Sequence, residues 1–262
     1  MRDSVAILDI DCLTKTFENG HRALDGLSLS VHAGSIFGFL GLNGAGKTTT
    51  IRVLAGLTGK DGGTVRMFGN EIRRDDDSYK QHMGFVLDEP LYFEWMSTEE
   101  FLHFVGTMYD LSPDAIGHRT TELLEFLDLT DKREERIETL SSGMKKKISL
   151  AAAIIHKPRL IVLDEPLEGI DALASSSIKE TLKLMAGGGM TIVITSHVLD
   201  TVEKLCDEVA IIHHGKTVLQ CRTADIRRKA KKALGNETYA SLEELFIDLV
   251  SDKVKKKHLS WM

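Results

Sequence analysis

The stretch GLNGAGKTT, Gly41–Thr49, constrains this chain more than any other. It fits the pattern G-x-x-x-x-G-K-[ST] and falls between an apolar run, SIFGFLGL, and a helix-prone segment, GKTTTIRVLAGL. A buried strand, a glycine-rich turn and a helix start, in that order, make a phosphate cradle. The glycines let backbone N–H groups curl around phosphate oxygens, and the helix N-terminus adds its positive dipole end. Gly41, Leu42, Asn43, Gly44, Ala45, Gly46, Lys47, Thr48 and Thr49 are therefore the expected nucleotide-binding set. Lys47 is placed to reach the β- and γ-phosphates, and the Thr48 hydroxyl to coordinate Mg²⁺.

A cradle of this kind needs an acid from a neighbouring strand. The hexapeptide VLDEPL offers one, and it occurs twice, at Val86–Leu91 and Val162–Leu167. The second copy ends the apolar run LIVL, so a buried strand delivers Asp164 beside the loop as a metal-holding carboxylate. Glu165 follows, directed at the γ-phosphate, where it can orient or deprotonate the attacking water. The flanks of the two copies differ, one leading into an aromatic loop and the other into a Gly-Ile-Asp turn, which argues against a duplication.

Periodicity along the chain gives the class as α/β. Residues 5–34 alternate apolar and polar around ENGH, the pattern of two antiparallel strands. SIFGFLGL is continuous and apolar, hence a buried strand. Ser97 to about Glu138 is helical, opening with a capping box of Ser97 and Glu100, and Pro113 sits near a second helix start. Strands and helices then alternate to Cys221, which implies a parallel sheet with helices on its faces. Two further helices are expected within 223–250, and the basic SDKVKKKHLSWM reads as a solvated end.

The expected organisation is a nucleotide-binding domain over 1–222, with a helical subdomain at about 92–157, and a C-terminal helical extension with basic tail over 223–262. The fold class expected is a P-loop NTPase with a mixed, mostly parallel sheet core, an N-terminal antiparallel β layer and that helical subdomain. Composition is that of an ordinary globular chain, 42% hydrophobic and 27% charged. The net charge of −6 leaves no electrostatic footprint for nucleic acid. Cys12, Cys206 and Cys221 have no metal-ligand spacing and read as reduced thiols. No apolar run approaches the ~18–20 residues of a membrane span, and the N-terminus has no signal-peptide pattern. Any span is expected to come from another chain.

With LSSGM at Leu140–Met144 in place, the order of motifs resembles the ATP-binding cassette family, the nucleotide-binding subunits of ABC transporters. The resemblance covers about residues 5–222 and is nearest to cassettes of drug, antibiotic or lipid exporters. It implies an adenine-stacking role for Phe17, a Mg²⁺-ligating position for Asp88 in the first VLDEPL, and a switch histidine at His197. It also implies that Ser141 and Gly143 of one subunit cap the γ-phosphate held by another's Lys47. The implied activity is hydrolysis of ATP with Mg²⁺, by a head-to-tail pair (a homodimer) on the inner face of the cell membrane, energising an integral-membrane subunit without a nucleic-acid partner. A soluble cassette ATPase acting on ribosomes or DNA is the alternative; only a short helical region separates Thr48 from Leu140, where long coiled-coil insertions would stand. A GTPase is a remote third reading, because no N-K-x-D occurs. The sequence departs from the family at Ser142 for Gly, Met144 for Gln, MKKK where a Gln-Arg pair is common, and EPLEGID, which lacks the usual Thr-Asn after Pro166.

Overall fold

In the computed structural model, which describes residues 6–73, 76–88, 90–226 and 242–250, two sheets lie side by side. The first is antiparallel, ordered β2-β1-β4-β5, with β1 at Ala6–Thr16, β2 at Arg22–His32, β4 at Gly62–Met67 and β5 at Asn70–Glu71. The second has six strands in the order β10-β9-β3-β8-β7-β6. These are β3 at Ile36–Leu40, β6 at Met83–Val86, β7 at Leu160–Leu163, β8 at Thr191–Ser196, β9 at Glu208–His213 and β10 at Lys216–Arg222. Strands β9, β3, β8, β7 and β6 run parallel, and β10 returns antiparallel on the edge.

All residues of β3, β7 and β8 are buried, as a sheet covered on both faces requires. Alternation within β3 divides the core. Phe37 and Phe39 pack with Ile51 and Leu54 of helix α1 (Lys47–Leu54) and with Leu8, Ile10 and Leu29 of the antiparallel sheet. Ile36 and Leu40 face the other layer, built from α4 (Ser142–Ile154), α5 (Ala172–Gly187) and α6 (Leu199–Leu205).

The expected antiparallel pair at 5–34 is β1 and β2, and β4 and β5 extend it. The middle region holds α2 (Thr98–Met108) and α3 (Pro113–Phe126), which pack through Phe101, Leu102, Ile116 and Leu124. The capping box is formed in both directions: Glu100 N–H donates to Ser97 Oγ at 3.2 Å, and Ser97 N–H to Glu100 Oε2 at 2.8 Å. Ser112 caps α3, with Pro113 in its first turn. Beyond Phe126 the helical expectation gives way to short 3₁₀ turns at Thr130–Lys132 and Ile137–Thr139. Backbone bonds from Thr98 N–H to Glu135 O and from Ile137 N–H to Met96 O draw this stretch back onto the start of α2.

Of the C-terminal elements, one helix is described, α7 at Leu242–Val250, with Phe246 and Val250 buried in the core. The other expected helix and the basic tail lie outside the described residues. Among the described residues no helix is long and apolar enough to cross a membrane.

The two VLDEPL copies are neighbours. β6 pairs with β7 in parallel, with Phe85 opposite Val162 and Val86 opposite Leu163, so the copies are staggered by one residue. A one-residue offset reverses which face a side chain takes. Val86 accordingly packs in the helix-side core with Leu163, and Val162 in the core on the opposite face.

Candidate active site

The phosphate loop leaves the C-terminal end of β3 and enters α1, where both neighbours of β3 also end. Its shape depends on Gly46, at φ 111°, where an added Cβ would lie 2.8 Å from both Ala23 O and the Leu24 side chain. Ala45 N–H closes a turn onto Leu42 O at 3.0 Å, and Gly215 N–H ties Ala45 O from the β9–β10 turn. Leu42, Asn43, Gly44 and Thr48 are exposed, Thr49 is half-buried, and Gly41, Ala45, Gly46 and Lys47 are buried. The first turn of α1 carries no acid and no side-chain cap, so its N–H groups and dipole remain available to an anion.

Lys47 is 6% exposed; its Nζ donates to Gly41 O at 2.8 Å and lies 3.4 Å from Glu165 Oε1. Glu165 Oε2 is 3.2 Å from Nδ1 of the exposed His197, which follows the end of β8. One carboxylate thus stands between the loop lysine and the strand-end histidine. Asp164, 1% exposed, ends β7 beside Thr48. Burial pushes its carboxyl above the usual 3.8, opposed by hydrogen bonds from Thr195 and Thr48, while the charges of Asp88 and Glu165 push further upward.

Two buried oxygens here, Asp164 Oδ2 and Glu165 Oε1, make no hydrogen bond. Buried carboxylate oxygens are ordinarily satisfied; Glu165 Oε1 has the Lys47 ammonium at 3.4 Å, and Asp164 Oδ2, with the Thr48 hydroxyl beside it, fits a divalent cation on an all-oxygen site. Glu165 has a left-handed backbone, φ 45°. Its amide donates to Thr195 Oγ1 at 2.9 Å, and the same hydroxyl donates to Asp164 Oδ1 at 2.5 Å.

The structure therefore brings together Lys47, Thr48, Asp164, Glu165 and His197. Asp88 is exposed on the loop after β6, close enough to raise the pKa of Asp164; its neighbour Glu89 lies outside the described residues. Phe17 falls one residue past the end of β1, half-buried in a turn closed by its bonds with Gly20 and His21, with Lys15 Nζ 5.9 Å from its ring centre. Ser141 caps α4, its Oγ accepting from Met144 N–H at 3.3 Å, and the buried Gly143 abuts Ala174 on α5. Both stand at the start of α4, the signature helix that opens with LSSGM, and neither bonds the phosphate loop of its own chain. Thr195 was not among the expected residues. Its signal was a polar side chain directly after the apolar run Ile192–Ile194, at the end of the strand that leads to His197.

The aromatic loop after β6 divides. Tyr92 turns inward, within hydrogen-bond distance of Lys145 O at 2.9 Å and Ser149 Oγ at 2.6 Å, against Phe101. Phe93 and Trp95 stay exposed, at 42% and 64%, beside Phe104 and Met108. Tyr92 parts from its aromatic neighbours because its hydroxyl needs the partners that α4 provides.

Comparison with known proteins agrees with this geometry. The sequence model described as "ABC transporter" matches residues 24–168. The linearmycin resistance ATP-binding protein LnrL of Bacillus subtilis is 38% identical over 217 residues, 83% of this chain and 68% of LnrL. The daunorubicin/doxorubicin resistance ATP-binding protein DrrA of Streptomyces peucetius is 34% identical over 80% of this chain, which spans 63% of DrrA. A solved ATP-binding subunit of an ABC transporter superposes with a TM-score of 0.81 at 28% identity, over 93% of this chain and 99% of that one. The chain belongs to the ABC transporter family, as an ATP-hydrolysing ATP-binding cassette resembling those of exporter-type systems.

Proposed function

We propose that this cassette pairs head to tail with a second copy and drives a separate membrane subunit in export, from the inner face of the cell membrane. The observation that carries the hydrolytic part is the placement of Glu165 between Lys47 and His197, next to the buried Asp164. Lys47 binds the β- and γ-phosphates, leaving Gly41 O for them. Glu165 orients the attacking water and accepts its proton, and His197 holds the outer oxygen of that carboxylate in line. A magnesium ion held by Thr48, Asp164 and Asp88 supplies, when bound, neutralisation of the phosphate charge. Phe17 stacks on the adenine. Ser141 and Gly143 of the opposite subunit close over the γ-phosphate. Support for this last role is the position of Ser141 on the exposed first turn of α4, where the helix dipole favours an anion.

The unit boundaries we favour are 1–222 for the cassette and 223–262 for an extension, with 92–157 as a helical arm built on α2, α3 and α4. Export is favoured over import by the resistance proteins among the relatives. The exposed ridge of Phe93, Trp95, Phe104 and Met108 supports a membrane partner, because large aromatics concentrate at buried interface centres.

The test is Glu165→Gln. Turnover should fall ~10²-fold or more while ATP binding persists, and the stalled chain should elute as a dimer with MgATP. A monomer that still turns over would overturn the assignment.

A further inference from the structure

The loop 165–171, between β7 and α5, carries Glu165, and the first turns of α4 hold it at two points. Ser142 Oγ donates to Gly169 O at 3.2 Å, and Lys146 Nζ donates to Glu165 O at 3.0 Å. The two residues are four apart and so lie on one side of the helix. Between them Gly143 makes the close approach possible: a Cβ there would stand 2.8 Å from that of Ala174.

Glu165 needs holding. Its φ of 45° is a left-handed conformation, unfavourable for a residue with a Cβ. The N–H side of its peptide is fixed by Thr195 Oγ1. The carbonyl side accepts from Lys146 Nζ and from Glu168 N–H, at 3.1 Å. Lys146 lines a small apolar cavity together with Val86, Leu150, Leu163 and Pro166, so its ammonium sits beside apolar surroundings. Partial burial pulls its pKa down; Asp88, Glu168, Glu165 and Asp164 surround it and oppose that fall.

We infer that Lys146 and Ser142 are positioning residues for hydrolysis: by gripping both ends of the Glu165–Gly169 segment, they make the signature helix set the aim of the carboxylate in its own chain. Ser142 stands where the family resemblance implies a glycine. A glycine at 142 could not donate to Gly169 O, so that half of the grip is a property of this chain. The inference rests on the catalytic role proposed for Glu165.

The experiment uses the full chain carrying Lys146→Met, Lys146→Arg or Ser142→Gly, with hydrogen exchange of the 165–171 amides measured beside steady-state turnover. Lys146→Met keeps the apolar stem. Exchange at the Glu168 amide, which shares its acceptor with Lys146, should rise about tenfold, the scale of one lost charge-assisted hydrogen bond. The kcat should fall about tenfold while KM for ATP changes less than about twofold, because no group touching nucleotide is removed. Lys146→Arg should restore both, and Ser142→Gly should loosen the Gly169 end with a smaller loss of kcat. Unchanged exchange and kcat in Lys146→Met would overturn the inference. If Lys146→Met fails to fold, wild-type exchange and turnover in Ser142→Gly overturn it instead. Failure of the catalytic reading is seen separately, as wild-type turnover in Glu165→Gln, while faster loop exchange in Lys146→Met would still uphold the grip.

Discussion

Thr195 Oγ1 lies 2.5 Å from Asp164 Oδ1 and 2.9 Å from the Glu165 amide nitrogen, so a single hydroxyl on β8 aligns both acids at the end of β7. Thr195→Val keeps the shape and removes both bonds. Each buried group left unpaired costs about 1–3 kcal/mol, so the melting temperature should fall, and kcat should drop tenfold or more. Thr195→Ser should recover most of both. Calorimetry and turnover measured on the same samples check this.

Asp164 gives a pH signature. Its folded pKa is raised above 3.8 by burial, so ionisation penalises the ligand-free fold. For a raised carboxyl the relative stabilisation is complete below 3.8 and is lost as the pH rises through the folded value. Asp164→Asn removes the charge and keeps an acceptor for Thr195. The variant should melt several degrees above the wild type at neutral pH without metal, and the gap should close as the pH falls toward 3.8. Thermal melts across pH in the presence of chelator test it, and a gap that persists at the acid end would refute it.

Lys47→Ala should abolish tight MgATP binding, with a loss of at least about a hundredfold, since charge-assisted bonds to phosphate are lost together. The same change strips Glu165 Oε1 of its cation at 3.4 Å. Undiminished affinity in a nucleotide titration would sink the phosphate-loop assignment.

Phe93→Ser and Trp95→Ser should leave the melting temperature nearly unchanged, as exposed substitutions do, while cutting severalfold the stimulation of turnover by a membrane partner. Tyr92→Phe should do the reverse, losing about 1 kcal/mol with its hydroxyl partners and sparing stimulation. Crosslinking from position 93 checks the contact directly.

Much of this arrangement was legible in the residues. Gly41–Thr49 declared a cradle because strand, glycine turn and helix start are all local features. Ser97 with Glu100, and Pro113, marked helix starts for the same reason. What escaped was set by distant partners. β4 carries two glycines at its start and little apolar pattern, and it becomes a strand because β1 offers it a ladder. Tyr92 looked like its exposed neighbours until α4 supplied acceptors for its hydroxyl. Thr195, Ser142 and Lys146 act on groups 30 and 31, 27, and 19 residues away in sequence, and no spacing rule reports such pairs.

The stagger between β6 and β7 bears on how the chain finds its structure. Two identical hexapeptides on adjacent parallel strands present a competing alignment, Val86 against Val162, one residue from the native one. In that alignment the side chains of β6 would exchange the two cores they enter, so a slipped intermediate would be compact yet wrongly faced. β6 is the edge strand and therefore the one free to slide. A bond outside the repeated words chooses the register: Arg159 N–H to His82 O, upstream of both copies. The repeated words cannot tell the strands apart; their flanks proofread the pairing.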